Sequence, residues 1–159
     1  MKPLMLRNPH LIIRKANRTL ELFDGEKSIR CYNIALGSCP VGDKEIEGDG
    51  KTPEGEYYVF VKNPESKFHL SLGLSYPSQE SAERGLAAGV ITRSEFDSIV
   101  AAHRHGTNLP QKTGLGGEIY VHGGGTASDW TEGCVAMTND EIEEVFAAVP
   151  VGTRVTILP

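Results

Sequence analysis

Apolar residues in this 159-residue chain recur with a period of two toward both ends and take a helical period only in a few capped stretches. That switch restricts the fold more than composition does, because a strand-period segment cannot bury one face as a helix. Leu11-Ile12-Ile13 is a short apolar run, and Thr19-Leu20-Glu21-Leu22-Phe23 alternates before Asp24-Gly25, a hairpin turn signal. Residues 28–36 continue as a third strand, and 37–50 read as a polar, glycine-bearing loop. Tyr57-Tyr58-Val59-Phe60-Val61 is a further strand, Ile119-Tyr120-Val121 a buried one, and residues 154–158 close the chain as another.

Three helices break the strand pattern. Ser78 caps a short one that stops near Gly89. Thr92-Arg93-Ser94-Glu95 has the spacing of a capping box, and Phe96, Ile99, Val100 and His103 then fall at helical spacing up to Gly106. A second box, Thr138-Asn139-Asp140-Glu141, opens a helix with Ile142, Val145, Phe146 and Val149 on one face, ended by Pro150 and Gly152. The expectation is a mainly β domain over residues 1–159 with a helical excursion at about 78–106. Strands clustered at both ends favour a sandwich or barrel over a doubly wound sheet.

Sixteen basic against 21 acidic side chains give a net charge of −5, so no nucleic-acid partner is expected. No apolar run reaches the roughly 18 residues of a membrane span. Arg7, Asn8, Pro9 and His10 follow the first six residues at once and leave no apolar h-region, so no signal peptide is expected in this sequence. Three cysteines, Cys31, Cys39 and Cys134, do not form a disulfide framework; Cys31 and Cys39 read as packing residues in or beside strands. The sequence leaves oligomeric state open.

Residues 119–137 concentrate the chemistry. His122 leaves a strand into three glycines, and twelve residues on, Cys134 follows Gly133. A free thiol with a pKa of about 8.5 is mostly protonated at neutral pH, and a histidine within reach can take its proton and return it to a leaving amine. Glycine before the cysteine would let backbone N–H groups approach a developing oxyanion. The alternative is a core cysteine and a solvated loop histidine.

His122-Gly123 followed by Thr131-Glu132-Gly133-Cys134-Val135 resembles the active-site signature of the L,D-transpeptidase catalytic domain (YkuD-like) family. Gly48-Asp49-Gly50-Lys51-Thr52-Pro53-Glu54-Gly55-Glu56-Tyr57 resembles its GD-x-x-TP-x-G-x-Y element. Leu74-Ser75-Tyr76-Pro77 and Thr113-Gly114-Leu115-Gly116-Gly117 are similar to later landmarks, so the likeness runs from about 11 to 158. It implies a β-sandwich-like or barrel-like domain acting on peptidoglycan stem peptides, without cofactor or metal. A cysteine thioester would form with loss of D-Ala from position four, then pass to a neighbouring amine as a 3→3 crosslink, or to water in a carboxypeptidase. Cys134 matches the nucleophile, His122 the base and Gly123 the position that orients it; Gly133 and Cys134 would offer oxyanion donors. Such a substrate implies the cell envelope or periplasm.

Where many members carry Arg or Asn two residues after the cysteine, this chain has Ala136, which cannot anchor a carboxylate. Lys112, Arg104 or Arg84 are candidate anchors, and Trp130, Thr131 and Tyr76 candidate groove residues, Trp130 and Tyr76 being equally readable as core packing. A non-catalytic wall-binding module is the alternative from another class. His103-Arg104-His105 with His122 could suggest a metal hydrolase, but two histidines at a helix C-terminus have a plainer electrostatic reason. All of the acyl-transfer chemistry requires the sulfur of Cys134 and the imidazole of His122 to converge at a solvent-reachable cleft.

Overall fold

The alternating segments pair into one eight-stranded sheet in the order β3-β2-β1-β8-β4-β5-β6-β7. The computed structural model describes residues 3–159. In chain order the strands are β1 (Pro9–Arg14), β2 (Thr19–Asp24), β3 (Lys27–Asn33), β4 (Gly55–Ser66), β5 (His69–Leu74), β6 (Tyr120–His122), β7 (Val135–Ala136) and β8 (Arg154–Leu158). The helices are α1 (Gln79–Ala87), α2 (Arg93–His105) and α3 (Asn139–Ala148). The strand β8 lies parallel to β1 and antiparallel to β4, so the last residues join both halves of the sheet. Two register shifts bend the twelve-residue β4: its first part pairs with β8 and its remainder with β5. Just beyond β3, Ala35 bridges to Ala136 and Gly37 to Thr131, which brings the two outer edges of the sheet together. The result is barrel-like rather than an open sheet.

Period-two alternation decides which side chains meet inside. Leu11 and Ile13 of β1, Leu20 and Leu22 of β2, and Val121 of β6 are fully buried, with Ile142 and Val145 of α3 packed against the same core. Each such side chain contributes about 1.5–3 kcal/mol relative to an exposed one. The helices start where their caps predict. Thr92 and Glu95 form a reciprocal box, and Gly106 ends α2 in a left-handed conformation. At α3 only half the box forms: Thr138 accepts from the Glu141 N–H, while its hydroxyl donates to the Glu141 carboxylate.

One sequence expectation is corrected, and one strand was passed over. The third strand ends at Asn33, short of Leu36. Strand β5 was not foreseen, because its hairpin with β4 turns through Lys67 and Phe68 without Gly or Pro, His69 taking the left-handed conformation instead. That hairpin supplies one wall of the site.

A buried lysine fastens the long loop that follows β3. Lys15 donates to the carbonyls of Gly42 and Thr52 at 2.8 Å each and pairs with Glu54 at 3.1 Å. Within the loop, Lys44 and the N–H groups of Glu45, Ile46 and Lys51 converge on the Asp49 carboxylate. Burial alone would raise the pKa of Asp49; these bonds outweigh it and hold the group below the ordinary carboxylate range. The loop is therefore a rigid shelf against the segment that carries Cys134.

Candidate active site

Strands β6 and β7 run parallel, with Val121 opposite Val135 and His122 opposite Ala136. The two valines are buried in the core, so His122 and Ala136 take the other face. Cys134 precedes β7 and sits beside Tyr120, whose N–H donates to its Sγ at 3.4 Å. The thiol donates to the Glu118 carbonyl at 3.3 Å. Cys134, just before β7, and His122, on the adjacent β6, are thus neighbours across the sheet, and no hydrogen bond joins them among the described residues. A pre-formed thiolate–imidazolium pair is absent from this arrangement.

The imidazole is held firmly. The Nδ1–H of His122 donates to the Gly123 carbonyl at 2.6 Å, since a carbonyl can only accept, and this leaves Nε2 as the basic nitrogen. Phe68 stacks on the ring at 4.6 Å between centroids and Trp130 meets it edge-on at 5.5 Å. His122 is 2% exposed. Burial pushes its pKa below the usual histidine value, with the Gly123 carbonyl opposing the shift. Gly123 must be glycine: a Cβ there would lie 2.6 Å from Asn139 Oδ1 and 2.8 Å from the Phe68 carbonyl.

At Cys134 burial pushes the thiol up to about 11; the Tyr120 N–H works against the rise and the charges of Glu118 and Glu132 add to it. Thiol and imidazole are both neutral at pH 7. The thiol is partly exposed and lines a cleft of about 580 Å³ with Ser38, Lys112, Gly117, Glu118 and Glu132.

The turn before Cys134 is held from two sides. Thr131 Oγ1 donates to the Cys134 carbonyl at 2.8 Å and accepts from the Gly133 N–H at 3.2 Å. Thr52 Oγ1 donates to the Gly133 carbonyl at 2.7 Å. In a trans peptide N–H and C=O point opposite ways, so Thr52 turns the Cys134 N–H away from itself. Gly133 has φ +129°, and a Cβ would sit 2.8 Å from the Lys51 carbonyl. Glycine is needed there for conformation. Its N–H is already spent on Thr131, which corrects the expectation of a second oxyanion donor.

Several other candidates fall elsewhere. Tyr76 is fully buried and its hydroxyl donates to the Leu115 carbonyl at 2.7 Å, so it braces the 111–118 segment and does not line a groove. Thr131 is buried and engaged as described, a brace for the turn rather than a substrate contact. Trp130 covers His122, its Nε1–H donating to the Gly125 carbonyl at 3.0 Å. Arg104 is exposed on α2 and is not among the residues lining the Cys134 cleft, whereas Lys112 is. Arg84 is paired with Asp43 at 3.0 Å. Both ring nitrogens of His103 are engaged, by the Pro77 carbonyl and the Tyr58 hydroxyl. Cys31 and Cys39 are exposed, against the expectation of packing residues. Sequence reasoning passed over Phe68 and Glu118, which carried no motif signal, and left Thr52 unassigned although it stands inside the quoted TP element.

A family model, the L,D-transpeptidase catalytic domain (YkuD), matches residues 8–157. The chain belongs to this L,D-transpeptidase family. Among its relatives is Bacillus subtilis YqjB, named provisionally as an L,D-transpeptidase, 27% identical over 94% of this chain and 71% of its own. The same fold occurs in the helical cell shape determining protein Pgp2 of Campylobacter jejuni (TM-score 0.66, 22% identity, 94% of this chain and 47% of that one). It also occurs in the L,D-transpeptidase of Xylanimonas cellulosilytica (TM-score 0.54, 16% identity, 98% and 63%). The L,D-transpeptidase domain described here thus spans about half of the Pgp2 chain. None of its helices, among the described residues, is long and apolar enough to cross a membrane.

Proposed function

We propose that the chain transfers the acyl group of a peptidoglycan stem tetrapeptide through a thioester on Cys134. The bond broken joins the third residue, an L-centred diamino acid, to D-Ala at position four. An amine of a neighbouring stem then opens the thioester to give a 3→3 crosslink. One observation supports the reading above the rest: a partly exposed thiol in a 580 Å³ cleft, one strand away from an imidazole whose Nδ1–H is fixed and whose Nε2 is left basic.

With both groups neutral, proton transfer accompanies attack rather than preceding it. The thiol exchanges the Glu118 carbonyl for Nε2 by a change of side-chain rotamer, and Nε2 takes the proton as sulfur closes on the carbonyl carbon. The same proton then goes to the departing amine of D-Ala. The Cys134 N–H, turned away from Thr52 by the contact of Thr52 with the Gly133 carbonyl, is the backbone donor for the oxyanion, an interaction typically worth about 3 kcal/mol in the transition state. A site on this polymer puts the protein in the cell envelope.

Incubation with a disaccharide-tetrapeptide and analysis of the products tests the reading. D-Ala release together with a 3→3 dimer is the expected result. Retention of the protein on peptidoglycan with no D-Ala released would overturn it in favour of a wall-binding module.

A further inference from the structure

Glu118 holds a backbone conformation that its residue type avoids. Its φ is +56°, in the left-handed region, where Gly116 two residues earlier, at φ +84°, has no Cβ to strain. A residue with a Cβ stays there only where its surroundings compel it. The compulsion comes from Gln111. Its Oε1 accepts from the Glu118 N–H at 2.6 Å, and its Nε2 donates to the Tyr76 carbonyl at 2.8 Å. An N–H needs an acceptor and a carbonyl needs a donor, so one orientation of the amide serves both. Tyr76 is fully buried and fastened through its hydroxyl to the Leu115 carbonyl. The Gln111 backbone also crowds the residue before Glu118: a Cβ on Gly117 would lie 2.2 Å from the Gln111 carbonyl.

This conformation turns the Glu118 carbonyl onto Cys134. The thiol donates to that carbonyl at 3.3 Å, and the Tyr120 N–H, two residues on, donates to Sγ at 3.4 Å. One short stretch of backbone therefore holds the sulfur in both senses, and the first of these contacts exists only while the thiol keeps its proton. Gln111 lines the cleft of Cys134, yet its own hydrogen bonds among the described residues run to the backbone of Tyr76, Pro110 and Glu118. It acts on the sulfur through Glu118.

We propose that Gln111 is a positioning residue for the nucleophile: by holding the Glu118 peptide in its left-handed conformation, it fixes the carbonyl that keeps the Cys134 thiol protonated and off the His122 imidazole at rest. This role rests on the reading of Cys134 as the nucleophile and adds what sets its resting state. Without Gln111 the Glu118 N–H loses its acceptor, the peptide relaxes toward a negative φ, and the carbonyl swings off the sulfur. The thiol then loses the contact that favours its neutral form.

The test is the pH profile of Cys134 alkylation by iodoacetamide, read by peptide mass in about 1 M salt, where an added surface charge is screened. Gln111→Ala should bring the midpoint down by about one pH unit, the shift that corresponds to one hydrogen bond on the thiol form. Gln111→Met, which keeps the bulk of the side chain, should fall with it. Gln111→Glu keeps an oxygen for the Glu118 N–H and gives up the donor to Tyr76, so it should retain the wild-type midpoint. Hydrogen exchange of the Glu118 amide should be slow in wild type and Gln111→Glu and fast in the other two. An unshifted midpoint in Gln111→Ala and Gln111→Met would overturn the role. So would an equal fall in Gln111→Glu, which would leave Gln111 a brace for Tyr76 alone. None of these readings needs a donor: a protein that forms no thioester with a tetrapeptide would overturn the acyl-transfer reading while the alkylation result stands.

Discussion

At Cys134, burial and the charges of Glu118 and Glu132 oppose ionisation, and the Tyr120 N–H and the more distant Lys44 favour it without prevailing. The environment therefore keeps Cys134 as a thiol, and the acyl transfer proposed above would use a neutral His122 as general base, where many cysteine enzymes hold a ready thiolate. This makes a measurable claim about pH. Alkylation of Cys134 by iodoacetamide, followed by peptide mass, should keep rising with pH toward a midpoint of about 11. Glu118→Gln removes a neighbouring negative charge, which favours the thiolate and moves that midpoint down. A wild-type midpoint at the ordinary thiol value of about 8.5 would contradict the environment described here.

The element that matters most is the loop from Gly123 to Cys134, which has little regular structure yet is tied at each turn. Asp129 accepts from Arg18 at 2.8 Å and from the Leu36 N–H at 2.9 Å; Asn139 Oδ1 accepts from the Gly124 N–H at 2.9 Å. Arg18 beside it holds the Asp129 carboxyl below its usual range. A depressed folded-state pKa means stability that is present above the unfolded value and lost as pH falls through the folded one. Asp129→Ala should cost about 1–3 kcal/mol in urea unfolding at pH 7, and the gap to wild type should close in strong acid. A gap that persists unchanged at low pH would contradict the role given to this pair. The sequence showed where the loop begins and ends, through His122 and Cys134, because strand and helix signals flank it. Its tethers were not legible: Arg18, Leu36 and Thr52 lie some eighty to over a hundred residues away from their partners, and no local pattern registers a contact across the barrel. The hairpin strand β5 was readable in the alternation of Leu70, Leu72 and Leu74, but without a glycine turn it had no boundary.

At the scale of the whole molecule, the barrel-like closure of the sheet explains how residues from four distant segments meet. The last strand links β1 to β4, and the bridges from Ala35 and Gly37 bring the first strands against β7, so the shelf of residues 37–54 presses on Gly133. The L,D-transpeptidase fold was anticipated from paired signatures at 48–57 and 122–135, and the structure gives those signatures physical work: Asp49 caging the shelf, Thr52 turning the Cys134 peptide, Gly133 taking a backbone conformation other residues avoid. The direct contact expected between sulfur and imidazole is replaced by a thiol held on Glu118 and a histidine waiting one strand away. Whether that arrangement is a working nucleophile and base is decided by intact-protein mass after incubation with a disaccharide-tetrapeptide. Wild type should gain the acyl mass of the donor without D-Ala, Cys134→Ala should gain nothing, and His122→Gln should acylate far more slowly. An adduct of equal size and rate on Cys134→Ala would contradict the account.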